Sequence, residues 1–139
     1  VTCRWWRFGA LAAALVPLWA CLPITPEQAD ALRAWQATVV ASAVNRGEPC
    51  PQYAADVAWR QLPDHFLTVI WNESRCDPAA VNRGSGATGL TQIMPDVWLD
   101  TLCPMEIACT VEDLKDPARN LDAAAVVYDA QGPAAWSGW

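Results

Sequence analysis

A carboxylate that closes an apolar run is a candidate acid, and Glu73 ends the run Phe66-Leu67-Thr68-Val69-Ile70-Trp71. Helical spacing puts it four residues after Val69 and three after Ile70, on the face of the apolar stripe. A carboxyl partly withdrawn from water there has its pKa raised, because desolvation disfavours the charged form. A carboxylic acid raised in this way can give its proton to a leaving-group oxygen. Breaking a glycosidic bond requires that step. The bland reading of the same residue is a glutamate at a helix end, facing water.

The residues that follow add to the chemical reading. Ser74 adjoins the acid, and Gly84, Gly86 and Gly89 form a loop whose backbone can approach a ligand closely. Gln92 offers a donor and acceptors suited to an acetamido or hydroxyl group. Ser85-Gly86-Ala87-Thr88-Gly89 lacks the lysine of a nucleotide-binding loop. The nine tryptophans supply apolar platforms, most of them expected in the core.

Positioning these residues takes a series of helices. Thr25-Pro26-Glu27-Gln28 reads as a capping box with a first-turn proline. Leu32, Trp35, Val39 and Ala43 then share one face of an amphipathic helix that Arg46-Gly47 closes, so 22–47 is one segment. A short helix is expected over Gln52–Gln61, with Tyr53 and Val57 inward. The central helix is expected over Asp64–Ser74, with Phe66, Leu67, Val69, Ile70 and Trp71 covering most of its circumference. Asp77–Thr88 reads as a loop or small irregular hairpin, and Thr91–Leu102 as a helix with Pro95 in its first turns. Thr110 can cap a short turn through Asp113. Asp116-Pro117 starts a last long helix that Gly132-Pro133 stops, with Leu121, Ala124, Ala125 and Tyr128 on one face.

The chain has 139 residues, 53% of them hydrophobic, enough for one packed domain with an N-terminal segment to spare. Its formal charge of -6 carries no basic stripe for nucleic acid, and is read mainly as a solubilising surface. Residues 1–21 read as a signal peptide or membrane-anchoring segment. Arg4 and Arg7 precede an apolar stretch, Phe8–Ala20, too short to span a bilayer at the roughly 20 residues required. Leu18-Trp19-Ala20-Cys21 also resembles a lipoprotein cleavage box, apart from the bulk of Trp19.

Cys3 and Cys21 belong to that segment, leaving Cys50, Cys76, Cys103 and Cys109. No paired short spacing suggests zinc, and His65 is isolated, so no metal site and no cofactor are expected. Two disulfides in an oxidising compartment fit better. Of the three possible pairings, Cys103–Cys109 and Cys50–Cys76 are favoured. The first closes a small loop; the second ties the segment before one helix to the end of the next.

At Glu73-Ser74 and Gly86-Ala87-Thr88-Gly89-Leu90-Thr91-Gln92-Ile93-Met94-Pro95 the chain resembles a known family. It is the soluble lytic transglycosylase (SLT) type of domain, in the lysozyme-like superfamily. A later Val127-Tyr128-Asp129-Ala130 resembles that family's Ala-Tyr-Asn motif in degraded form. The Asp116-Pro117…Asn120-Leu121 helix entry and Ala135-Trp136 look most like actinobacterial and phage members. The resemblance covers about residues 50–139.

It implies a mainly α (α+β lysozyme-like) domain over 48–139, with a central catalytic helix and a small loop or hairpin region lining a cleft. It implies Glu73 as the single catalytic acid/base, Ser74, Gly89, Gln92 and Met94 as groove residues, and Tyr128 near the acid. The implied substrate is the glycan strand of peptidoglycan, cut between N-acetylmuramic acid and N-acetylglucosamine to leave 1,6-anhydro ends. An exported monomer at the cell wall follows, in some cases membrane-anchored. Thr91 stands where Met or Phe is usual, which bears on a subsite, and Asp129 where Asn is usual, which adds a charge. The same fold could instead hydrolyse, with Asp96 or Asp129 positioning water, or serve as a non-catalytic murein-binding module. A secreted structural protein would explain the cysteines but not the ordered motifs.

Overall fold

The computed structural model describes residues 23–136. The expectations for the signal segment, including Cys3 and Cys21, lie outside the described residues. The chain divides into two compact units at the junction of Trp35 and Gln36.

In the first unit Thr25 and Gln28 form the capping box: the Gln28 N–H donates to Thr25 Oγ1 at 3.2 Å, and the Thr25 N–H to Gln28 Oε1 at 2.8 Å. Helix α1 (Pro26–Asn45) starts there and continues into the second unit. Ala43 is buried and Val39 packs against the core, but Leu32 and Trp35, expected on the same face, are exposed. The helix ends in a Schellman arrangement, with Gly47 at φ 68° donating to Val44 and Glu48 donating to the Ala43 carbonyl.

The second unit is mainly helical. Helices α2 (Ala54–Trp59), α3 (Phe66–Ser74), α4 (Pro95–Leu102) and α5 (Pro117–Gln131) are joined by irregular segments and short 3₁₀ turns. Phe66, Leu67, Val69 and Ile70 are buried, and with Leu90, Leu102, Leu114, Leu121 and the alanines Ala123 to Ala125 they form the core.

Trp71 is a correction to the sequence reading. It is exposed, and the Arg75 guanidinium lies 4.7 Å from its ring centroid. A residue one helical turn later shields the indole through a cation–π contact, so the core does not need to. A second correction concerns α4, which starts at Pro95 and not at Thr91. Proline disfavours the helical conformation in the residue before it, and Met94 is extended at φ -78°, ψ 107°.

Arg60 is an internal tie that the sequence did not announce. It is buried, its Nε donates to Asp122 at 2.9 Å, and its Nη2 donates to the Ala118 carbonyl at 3.0 Å. It also bonds both the carbonyl and the carboxylate of Asp56, one turn earlier. These bonds join α2 to α5 and keep the buried guanidinium paired, without which its burial would cost several kcal/mol.

Both favoured disulfides form: Cys50–Cys76, with sequence separation 26, and Cys103–Cys109, with separation 6. Thr110 and Asp113 bond each other reciprocally before the 3₁₀ turn Asp113–Lys115. The Asp113 carboxyl lies below its ordinary pKa, chiefly because the Cys109 N–H donates to it, aided by Thr110. Asp116 caps α5 by accepting from the Arg119 N–H at 2.9 Å. Among the described residues, no helix is long and apolar enough to cross a membrane.

Candidate active site

Glu73 sits in the last turn of α3, half-buried, on the side that carries the buried Val69 and Ile70. Burial raises its carboxyl above the ordinary value, with no other cause contributing. Desolvation favours the proton-bearing form, so the group suits an acid.

The helix ends abruptly after it. Arg75 and Cys76 both take left-handed conformations, at φ 56° and 65°, and the disulfide joins Cys76 to Cys50, itself at φ 51°. Non-glycine residues adopt this region only when surroundings hold them there. The Tyr53 hydroxyl donates to the Cys76 carbonyl at 3.4 Å. Burial, then the charges of Asp77 and Asp56, raise the Tyr53 phenol above its ordinary value and keep it a donor. The exit of the acid's helix is thus tied by one covalent bond and one hydrogen bond. Ser74, expected in the groove, is buried, and its hydroxyl donates to the Ile70 carbonyl at 3.0 Å.

The glycine-rich stretch forms a small three-legged turn. Thr88 pairs antiparallel with Val81 on one side and with Ile93 on the other. The Thr88 N–H donates to the Ile93 carbonyl at 2.9 Å and the Ile93 N–H donates back at 3.1 Å, enclosing Gly89-Leu90-Thr91-Gln92 as a hairpin loop. Gly89 is at φ 83°, and a Cβ there would lie 2.2 Å from both Asn120 Nδ2 and the Leu114 carbonyl. The close approach it permits is therefore to α5 and the chain before it. The sequence reading assigned that approach to a ligand.

Gln92 follows at φ 52°, half-buried. Its Nε2 donates to the Gly89 carbonyl at 2.9 Å and to the Ala80 carbonyl at 3.2 Å. Both amide hydrogens are engaged by backbone, so Oε1 is what the side chain has to offer as an acceptor. Met94 is half-buried at the start of α4. Tyr128 packs edge-on against Phe66, with ring centroids 5.8 Å apart. Phe66 lies two turns before Glu73 on the same face of α3, so Tyr128 is tied to the acid's own helix. Asp129 is exposed.

Asn120 is the residue that sequence reasoning undervalued. It is fully buried, and its side chain bonds Thr88, Thr91 and Leu114 at once. Its signals in the sequence were its place four residues after the Asp116 cap and its part in the family-like helix entry Asp116-Pro117…Asn120-Leu121. Thr91, read as bearing on a subsite, is fully buried within this same network.

A helix ending in a half-buried glutamate and a rigid glycine turn carrying Gln92 are the two parts of the expected motif pair. The family profile of the transglycosylase SLT domain matches residues 51–129, a span that takes in both. The chain belongs to the SLT domain family. It is also 33% identical over 76 residues to a protein named probable transglycosylase SceD, from Staphylococcus carnosus (strain TM300). That match covers 55% of this chain and 32% of the relative, so the chain spans about a third of the length of the curated relative it matches. No solved structure matches it significantly. Glu73 and Gln92 both lie within the matched span. Among the described residues, no group of three or more His, Cys, Asp or Glu could hold a metal ion.

Proposed function

We propose that the protein cleaves the β-1,4 bond between N-acetylmuramic acid and N-acetylglucosamine in peptidoglycan, with Glu73 as its single acid/base. The observation that supports this reading is a glutamate within the SLT span, half-buried at the end of α3, whose carboxyl burial holds above its ordinary pKa. In the neutral form Glu73 donates its proton to the bridging oxygen as the sugar takes on oxocarbenium character. The carboxylate so formed accepts the proton of the muramoyl 6-hydroxyl, whose oxygen attacks the anomeric carbon of the same sugar. A 1,6-anhydro end results and no water is consumed. Gln92 Oε1 accepts from a substrate hydroxyl or acetamido N–H, Gly89 and Met94 border the groove, and Ser74 braces the end of α3 from within. Tyr128 supports the acid through Phe66.

Such a substrate places the protein outside the cytoplasm at the cell wall, consistent with the two disulfides among the described residues. Residues 1–21 act in this reading as the export or anchoring segment, and 48–139 as the catalytic domain.

Mass spectrometry of peptidoglycan digested by wild type and by Glu73→Gln tests the proposal. Anhydro-muramoyl ends from the wild type alone are expected. Exclusively reducing, hydrated ends would replace the reading by a hydrolase, and binding with no turnover by wild type would replace it by a murein-binding module.

A further inference from the structure

Asn120 lies in the first turns of α5, fully buried, and a buried carboxamide is tolerated only when its donors and acceptor find partners. Its Nδ2 donates to the Leu114 carbonyl at 2.8 Å and the Thr88 carbonyl at 3.0 Å. Its Oδ1 accepts from the Thr91 N–H at 2.9 Å and the Thr91 hydroxyl at 2.8 Å. The Thr91 carbonyl in turn accepts from the Trp136 Nε1–H at 2.9 Å. Backbone donor, backbone acceptor and hydroxyl of Thr91 are thus all held from behind. The next residue is Gln92, in the left-handed region, with its Nε2 pinned by two carbonyls.

Fixing Thr91 fixes the backbone that launches the Gln92 side chain. The two carbonyl contacts then leave Gln92 Oε1 a single direction. An apolar residue of similar size at 120 would fill the space but supply none of the four bonds. Gly89 makes the contact possible, since any Cβ would overlap the carboxamide.

We propose that Asn120 is a positioning residue for the glycan groove, acting through Thr91 to set the direction in which Gln92 presents Oε1. This rests on the proposed function and specifies how its substrate-binding wall is held. Asn120 itself does not touch substrate.

The test measures binding of a soluble tetrasaccharide of alternating N-acetylglucosamine and N-acetylmuramic acid by calorimetry. The full chain carries Glu73→Gln, so that turnover does not interfere. Asn120→Asp keeps shape and one acceptor but sets a second oxygen against the Thr88 and Leu114 carbonyls. Affinity should fall about ten-fold near neutral pH and recover as pH falls, when the protonated carboxyl can again donate. Thr91→Val removes the hydroxyl donor alone and should weaken binding about three-fold.

With Glu73 restored, both variants should raise KM more than they lower kcat and leave the pH dependence of kcat in place. Unchanged affinity and KM in both variants, with the loss confined to Tm, would overturn the proposal and leave Asn120 a core residue. If Asn120→Asp does not fold, Thr91→Val decides alone. A Glu73→Gln parent that binds no tetrasaccharide is a different failure, since it removes the functional reading before either second substitution is made.

Discussion

Gly89 and Asn120 lie so close that no side chain fits between them. A Cβ on Gly89 would stand 2.2 Å from Asn120 Nδ2 and 2.9 Å from its Cγ, with the Leu114 carbonyl also at 2.2 Å. The glycine that looked made for a ligand serves first to seat the loop on α5.

Gly89→Ala should therefore be severely destabilising. The added methyl meets backbone as well as a side chain, and the left-handed φ of 83° adds strain of its own. A loss of about 3 kcal/mol or more is expected from overpacking and strain together. Urea unfolding of the variant beside wild type measures it; Gly86→Ala, where a Cβ meets nothing within 4 Å, should lose clearly less.

Glu73 links activity and stability with opposite signs. Its folded pKa is raised by burial, so the native state holds the proton more tightly than the unfolded chain. Stability from this group is fully present below the unfolded carboxylate range and falls as pH rises through the folded pKa. Turnover should decline over the same upper limb as the acid form is lost. Glu73→Gln should reduce turnover about a thousand-fold. It should match or exceed the wild-type Tm near neutral pH, with the gap closing below about pH 4. Thermal melts and kcat across pH check both; a variant less stable than wild type at neutral pH would contradict the burial argument.

The two disulfides among the described residues should not be equivalent. Chain-entropy reasoning assigns about 3 kcal/mol to Cys50–Cys76 and about 2 kcal/mol to the shorter Cys103–Cys109 loop. The first also holds the left-handed Arg75 and Cys76 just past the acid. Replacing Cys50 and Cys76 together by serine should lower kcat of the folded protein, whereas the Cys103/Cys109 pair should affect Tm alone. Equal kcat in the two double variants would show that the α3 exit does not depend on its bond.

What the sequence alone decided about this protein is local or carried by motif. The caps at Thr25, Thr110 and Asp116, the stop at Gly47, the buried stripe of α3 and the glutamate in its last turn each depend on residues within a turn or two. The disulfide pairing was also legible, because four cysteines allow few pairings and loop lengths favour one. Tertiary structure alone settled the joining of α2 to α5 by Arg60.

The same holds for the glycine turn. Thr91 and Asn120 are 29 residues apart and Trp136 is 45 from Thr91, so no periodicity or propensity could pair them. A buried carboxamide takes whichever partners the fold brings to it. Glu73 could be named from the chain. The loop that carries Gln92 is held by Asn120, and only folding brings Asn120 to it.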